Sequence, residues 1–482
     1  MDGSAGGPPG VDAGADRRRR GAPVRPRQTD TGAGGTSPGV GSFPASTSPL
    51  PEPSESILST SRFHTWMAAH RAEQTQDVQR IPFSDLFGWD FVPGSGDLAH
   101  ESGRFFRIEG VRVEDDGGPV RTWTQPIIRQ PEIGILGIAV HEVGGTTRCL
   151  MQAKAEPGNV NGVQLAPTVQ ATHSNYTRVH GGSPVPYLDL FQDPPEDRVV
   201  ADSLQSEPGT WFDRKRNRHM IVRVGPEVEA LPGFCWLTVE QLQELIAVDH
   251  LLNMTTRTVM SCLPHEWGTA PPEDVDRVHR WLVRRRCERD LRTRYVPLSE
   301  MEGWRRSADA ISHDTGAYFS VVAVSVRSAS REVPGWSQPL IQGHGLGVAA
   351  LFTRRIDGVP HALMHARAEP GFLTGAELGP TVQCEPGAQE LLPPEHRSPF
   401  LHAVLNASSD RVRFDTELSE EGGRFLNTHT RYVIVDADGD VREWERPGYR
   451  WVSVREIAAL MREGFRVNMQ ARTLVAAWRG RW

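Results

Sequence analysis

Of the chain's 53 basic residues only two are lysines, Lys154 and Lys215. Lysine is a compact charge whose proton affinity responds to burial, so it can take part in proton transfer where arginine cannot. Lys154 shares a strand-like stretch with Gln152 and Glu156, and Lys215 opens the run Lys215-Arg216-Asn217-Arg218-His219. Between them, Gln170-Ala171-Thr172-His173-Ser174-Asn175-Tyr176-Thr177-Arg178-Val179-His180 carries donors, acceptors and two titratable imidazoles. Such a set suits a ligand with phosphate groups: lysine and arginine meet the charge, asparagine and glutamine meet base edges and hydroxyls. Trp123 or Tyr176 offers a face on which a planar base can stack. Each residue alone has a plain structural reading, and it is the clustering that points to a site.

These residues lie in the first copy of a duplicated segment. Gln152-Ala153-Lys154-Ala155-Glu156-Pro157-Gly158 returns as His365-Ala366-Arg367-Ala368-Glu369-Pro370-Gly371, and Pro167-Thr168-Val169-Gln170 returns as Pro380-Thr381-Val382-Gln383. Trp123 and Gln125 match Trp336 and Gln338; Arg218 matches Arg431. The spacing is 213 residues (152 to 365) here and 215 at both flanks, as from Trp66 to Trp281 or Trp236 to Trp451. A period this long marks a duplicated domain rather than a solenoid. The expected units are about 60–265 and 270–482. The lysines are unshared, their counterparts being Arg367 and Thr428, and the Asn175-Tyr176 pair is unshared as well.

The elements that must position these groups repeat too. Each half opens with a helical pattern that runs up to a proline, Arg62 to Arg80 before Pro82 and Asp274 to Arg292 before Pro297. Strand patterns follow at Phe105 to Val113, Ile133 to Val140 and Thr147 to Ala155. In the second half they fall at Val348 to Phe352 and His361 to Ala368, with Met220 to Val224 and Tyr432 to Val435 further on. Each half ends in a helix capped by Thr238 or Ser453, over Thr238 to Leu252 and Ser453 to Arg462. The expected fold class is α+β, a layered α/β/α arrangement of a mixed sheet with flanking helices, used twice.

Several classes find no support. A net charge of −7 gives no reason to expect nucleic acid or a membrane surface. The longest apolar run, Ile133 to Val140, falls far short of the roughly 20 residues of a spanning helix. Five cysteines without a C-x-x-C pair argue for a reducing cytoplasm and against a zinc site. His265-Glu266 has no second histidine at metalloprotease spacing, and Gly343-His344-Gly345-Leu346-Gly347 lacks dinucleotide-loop spacing. Residues 1–55 are Gly, Pro, Ser and Ala with almost no large apolar side chain, a composition expected to stay disordered.

The Gln-Ala-Lys-Ala-Glu-Pro-Gly, Pro-Thr-Val-Gln, Ser-Asn-Tyr-x-Arg-Val-His and Lys-Arg-Asn-Arg strings, with Glu-Pro-Gly and Pro-Thr-Val-Gln echoed in the second half, resemble the NDP-hexose 2,3-dehydratase family. The likeness covers everything but the tail. It implies two Nudix-like units per subunit, a homodimer, and a dTDP-4-keto-6-deoxyglucose-type substrate that loses its 2-hydroxyl as water. The product would be a 3,4-diketo-2,6-dideoxy sugar nucleotide, passed to a 3-ketoreductase or aminotransferase on the way to antibiotic 2-deoxysugars. The Nudix hydrolase box itself is absent from the sequence.

That chemistry needs a base at C3, an acid at the 2-hydroxyl and a donor at the enolate oxygen, with no redox cofactor and no metal. Under this resemblance Glu156 or His173 is the base, Tyr176 the acid or hydroxyl contact, and Lys154 the enolate or phosphate partner. Trp123, Gln125, Gln170, Asn175, Arg178, His180, Lys215, Asn217 and Arg218 would hold the nucleotide and sugar. The second repeat either holds a further pocket through Gln338, Arg367, Glu369, Gln383 and Arg431 or supports the first. Two other functions stay open. One is a Nudix-type hydrolase using Glu417, Glu420 and Glu421 to bind metal; the other is a sugar-nucleotide-binding protein that returns its ligand unchanged.

Overall fold

A computed structural model describes residues 59–173, 184–264, 274–328, 333–439, 444 and 446–479. All of these belong to one compact unit, Pro53–Trp482. The tail expected over residues 1–55 lies outside the described residues.

The chain mixes helices with sheets, as the α+β reading requires, and each repeat builds the same seven-stranded sheet. In the first repeat Gly134–Val143 pairs antiparallel with Thr146–Ala155 and parallel with Arg216–Arg223, with Val199–Ser206 at the edge. Phe234–Thr238 and Val163–Pro167 pair with Thr146–Ala155. In the second repeat Gly347–Ile356, Val359–Ala368 and His429–Asp436 take the corresponding places. Gly134–Val143 is buried along most of its length on both faces, which explains why its sequence is continuously apolar rather than alternating.

The smaller sheets cross the boundary between the halves. The opening helical patterns stop early, at Thr60–Glu73 and Val275–Glu288, and the residues before each proline form strands instead. Gln76–Ile81 pairs with Phe319–Ser328 of the second repeat, and Leu291–Val296 pairs with Arg107–Asp115 of the first. Each repeat therefore donates its first strand to the other. The partner of Gln76–Ile81 lies some 240 residues away (81 to 323), and no local signal announces it.

The closing helices are also shorter than the pattern implies. Val239–Leu245 and Val454–Leu460 start at capping boxes on Thr238 and Ser453. Each is followed by a further helix that sequence reasoning missed, Met254–Met260 and Met469–Trp478, capped by Asn253 and Asn468. These two lie at the centre of the molecule and every residue in them is buried. Because they are buried on every side, with Thr255, Thr256, Arg257 and Thr258 or Gln470, Arg472 and Thr473 among their residues, no solvent-facing polar stripe marks them in the sequence.

Each central helix carries an arginine into the other repeat. Arg257 donates to the Ser419 carbonyl at 2.9 Å and lies 5.5 Å from the Tyr432 ring. Arg472 donates to His219 Nδ1 at 2.9 Å and to Ser261 Oγ at 3.1 Å. His219 is fully buried, and burial beside Arg472 holds it well below the ordinary imidazole range, so it accepts as a neutral ring.

The Glu-Pro-Gly turns close the contact. Gly158 N donates to the Gly422 carbonyl at 2.7 Å, and Gly371 N donates to the Gly209 carbonyl at 2.8 Å. A Cβ on Gly158 would sit 1.6 Å from the Phe425 oxygen, and one on Gly371 1.7 Å from the Phe212 oxygen. Glycine is required here by close approach of the two backbones.

Candidate active site

A cavity of about 790 Å³ opens on the first repeat's sheet. Lys154, at the end of Thr146–Ala155, and Glu156, one turn residue beyond it, both point into it. The Lys154 ammonium lies 3.6 Å from Glu156 Oε1 and 3.4 Å from the Gln170 carbonyl.

A relay of amides fixes the carboxylate. Asn253 caps the central helix Met254–Met260 with its side-chain oxygen, and its amide nitrogen donates to Gln170 Oε1 at 3.0 Å. That leaves Gln170 Nε2 to donate to Glu156 Oε1 at 2.9 Å. Glu156 Oε2 is buried and has no hydrogen-bond partner among the described residues. A carboxylate oxygen buried without a partner is costly in the free protein and available to a ligand.

The opposite wall holds Lys215, Asn217 and Glu207. Asn217 accepts from Gly134 N at 2.9 Å and donates to Glu207, while Lys215 donates to the Glu132 carbonyl. Burial pulls Lys215 down to about 8, with Glu132 and Glu207 opposing the shift. Burial also raises Glu207, which Lys215 and Asn217 offset in part.

The second repeat supplies the remaining wall. Trp336, Gln338, Glu421 and Arg424 all line the first repeat's cavity. Trp336 Nε1 donates to Gln338 Oε1 at 2.8 Å, and Gln338 Nε2 donates to the Gly423 carbonyl at 2.9 Å. Arg424 lies 4.2 Å from the Phe106 ring and donates to Gln130 Oε1 at 3.1 Å. Burial and the neighbouring Glu156 and Glu207 carboxylates raise Glu421, against Arg424 and Lys154.

The expected site residues separate accordingly. Lys154, Glu156, Gln170, Lys215 and Asn217 come together in the cavity. Gln338, expected in the second repeat's pocket, lines the first instead. Trp123 and Gln125 are not among the lining residues: Trp123 donates to Gln125, which donates to the Thr210 carbonyl at 2.7 Å. Thr210 N in turn donates to Glu369, so this pair sits beside the second repeat's carboxylate. The strand exchange has traded the two tryptophans. Arg218 and Arg431 face away from the cavity and form two-pronged pairs with Asp202 and Asp415. His173 is exposed and does not line the cavity, whereas Asn175, Tyr176, Arg178 and His180 lie outside the described residues.

In the second repeat Arg367 donates to Glu369 Oε1 at 2.6 Å and Gln383 Nε2 donates to the same oxygen at 2.9 Å. Thr210 N, at 3.1 Å, occupies Oε2. His365 stacks on Tyr449 with ring centres 4.4 Å apart, and burial beside Arg367 pushes it down to about 3. The acidic run expected as a metal site is dispersed. Glu417 faces His429 at the surface, Glu420 accepts from Thr430, and only Glu421 enters the cavity. Among the described residues no group of three His, Cys, Asp or Glu side chains is disposed to hold a metal ion.

Sequence reasoning missed Glu207, Trp336 and Arg424 as lining residues, and it placed Glu421 only in an acidic patch and not in this cavity. The test applied to the lysines would have found two of them: Glu421 and Arg424 stand where the first repeat has Pro208 and Trp211.

The family model described as NDP-hexose 2,3-dehydratase matches the chain twice, over residues 60–263 and 275–478. The dTDP-4-dehydro-6-deoxy-alpha-D-glucopyranose 2,3-dehydratase of Amycolatopsis orientalis is 48% identical over 426 residues, 87% of this chain and 90% of its own length. The enzymes of the same description from Saccharopolyspora spinosa and Streptomyces violaceoruber are 42% and 45% identical, each over 88% of this chain and over 92% and 98% of their own.

Proposed function

The chain belongs to the NDP-hexose 2,3-dehydratase family, and we propose that it removes water across C2 and C3 of a dTDP-4-keto-6-deoxyglucose-type sugar nucleotide in the first repeat's cavity. The observation that carries this reading is the unengaged oxygen of Glu156 beside Lys154, in a pocket whose second-repeat counterpart has lost both lysines and engaged its carboxylate.

The C4 ketone acidifies the C3 proton. Glu156 Oε2 takes that proton, its orientation set by the Asn253–Gln170 relay. Lys154 stabilises the negative charge that develops on the C4 oxygen, as a preorganised donor does. The C3–C4 enolate then expels the 2-hydroxyl, and the resulting 2,3-enol tautomerises to the 3,4-diketo-2,6-dideoxy sugar. No electron leaves or enters the balance. Gln170, Lys215 and Asn217 hold the sugar nucleotide, with Trp336 in place of Trp123 offering a face to the base. The second repeat completes the pocket, and its equivalent carboxylate, Glu369, is engaged at both oxygens.

Finer features rest on the family resemblance. Each repeat is proposed to be a Nudix-like unit, its sheet mixing one parallel pair with antiparallel neighbours. The enzyme is proposed to work as a cytoplasmic homodimer, a place that suits its five free cysteines. A 3-ketoreductase or aminotransferase would take its product toward antibiotic 2-deoxysugars.

The test is to supply purified protein with dTDP-4-keto-6-deoxyglucose and a 3-ketoreductase and to assay for a 2-deoxy sugar nucleotide. Wild type should form it, and Lys154→Ala and Glu156→Gln should fall by ~10²-fold or more. Release of dTMP, or tight binding with substrate returned unchanged, would replace this reading with a hydrolase or a binding protein.

A further inference from the structure

The turn from Glu421 to Phe425 belongs to the second repeat by sequence and to the first repeat's cavity by position. Two backbone hydrogen bonds hold it there: Gly158 N donates to the Gly422 carbonyl at 2.7 Å, and Asn427 N donates to the Gly158 carbonyl at 2.9 Å. The fit leaves no slack. A Cβ on Gly422 would come within 2.9 Å of Glu156 Cβ and 2.2 Å of Asn159 Oδ1. The turn bearing Glu421 is thus clamped onto the turn bearing Glu156, and both carboxyl groups line one cavity.

Opposite Glu369, the place of Glu421 is taken by Pro208 and that of Arg424 by Trp211. A proline cannot exchange protons, so Glu369 has no acid at the position equivalent to Glu421. The unshared acid therefore accompanies the unshared lysines.

We propose that Glu421 is the general acid of the elimination, giving its proton to the departing 2-hydroxyl while Glu156 takes the proton from C3. The assignment rests on the reading of the cavity given above. The step balances. The C3–H electrons become the C3–C4 enolate, the enolate closes the C2–C3 double bond and restores the C4 ketone as the C2–O bond breaks with its electrons on oxygen, and the Glu421 proton completes a water molecule. Glu421 leaves as carboxylate and recovers a proton from solvent or from Glu156 before the next turnover.

The surroundings favour these roles. Burial and the carboxylates of Glu156 and Glu207 favour the protonated form of Glu421. Glu156 has a lysine 3.6 Å away and accepts from an amide at 2.9 Å on Oε1, which leaves Oε2 to meet the substrate. Two carboxyl groups lining one cavity can divide into acid and base.

Glu421→Gln keeps the shape and removes the proton. Its turnover of the 4-keto substrate should fall by ~10²-fold or more. Exchange of the C3 hydrogen with deuterium oxide should stay near the wild-type rate, which also reports that the pocket is intact. With the 2-deoxy-2-fluoro analogue, whose fluoride departs without a proton, Glu421→Gln should match wild type. Near-wild-type turnover of the hydroxyl substrate, or an equal loss with the hydroxyl and fluoro substrates, overturns the proposal. Wild-type C3 exchange in Glu156→Gln would instead overturn the reading of the cavity on which it rests.

Discussion

Glu156 and Glu369 occupy equivalent places on the two sheets, each held by the glutamine that its helix-capping asparagine orients. Their second oxygens differ: Glu369 Oε2 accepts from Thr210 N at 3.1 Å, and Glu156 Oε2 has no partner among the described residues. Their basic neighbours differ as well, Arg367 at 2.6 Å against Lys154 at 3.6 Å. A guanidinium this close fixes a carboxylate as a structural group, whereas a looser ammonium leaves it able to meet a ligand.

Substituting Lys154→Arg should therefore convert the first site toward the second. Turnover of the 4-keto sugar nucleotide is expected to drop by ~10²-fold, although the charge is kept. The reciprocal Arg367→Lys should leave steady-state turnover unchanged.

The exchanged tryptophans give a second contrast. Trp336 lines the first cavity and Trp123 does not, although each donates to a glutamine two residues on at 2.8 Å. Trp336→Ala should raise KM by up to ~10-fold, the range of one lost aromatic contact. Trp123→Ala should leave KM at the wild-type value. Reversed effects would show that base binding follows sequence position rather than the strand exchange.

Gly371→Ala should destabilise the fold without touching the turns of Glu156 and Glu421. Its Cβ would lie 1.7 Å from the Phe212 oxygen, so two backbones must part. The expected cost is at least ~1–3 kcal/mol, read as a lower midpoint in urea. Gly158→Ala should cost a similar amount and also reduce turnover, because its neighbours are the turns of Glu156 and Glu421.

Glu377 gives a pH-dependent prediction. Burial pushes it up to about 7 from an ordinary 4.5, with Glu369 adding to the shift. The folded chain then holds a proton that the unfolded chain releases. Its contribution to stability is complete below about 4.5 and is lost as pH rises to about 7. Gln164 holds the counterpart position and donates to Ser419 Oγ at 2.8 Å. Glu377→Gln should flatten this part of the stability profile and gain up to a few kcal/mol above neutrality. Urea midpoints of both proteins across this range would check it.

Local chemistry made much of this legible. The duplication, the capping residues Thr238 and Ser453 and the apolar Gly134–Val143 strand are written in spacing and residue type. So was the suspicion attached to Lys154, Glu156, Gln170, Lys215 and Asn217, because unshared or clustered polar groups stand out within a single repeat. The misses have a common cause. The places of Trp336, Arg424 and Glu421 depend on which repeat's wall faces which cavity. That is a long-range relationship, and periodicity within a segment carries no information about it.

The sequence by itself determined that one fold is used twice and that the copies are chemically unequal. Tertiary structure decided that the copies are not independent. First strands are exchanged, central arginines reach across, and glycine turns lock backbone to backbone, so the second repeat's residues complete the first repeat's pocket. The physical reason is that hydrogen bonds and buried surface reward proximity in space, while sequence records proximity only along the chain.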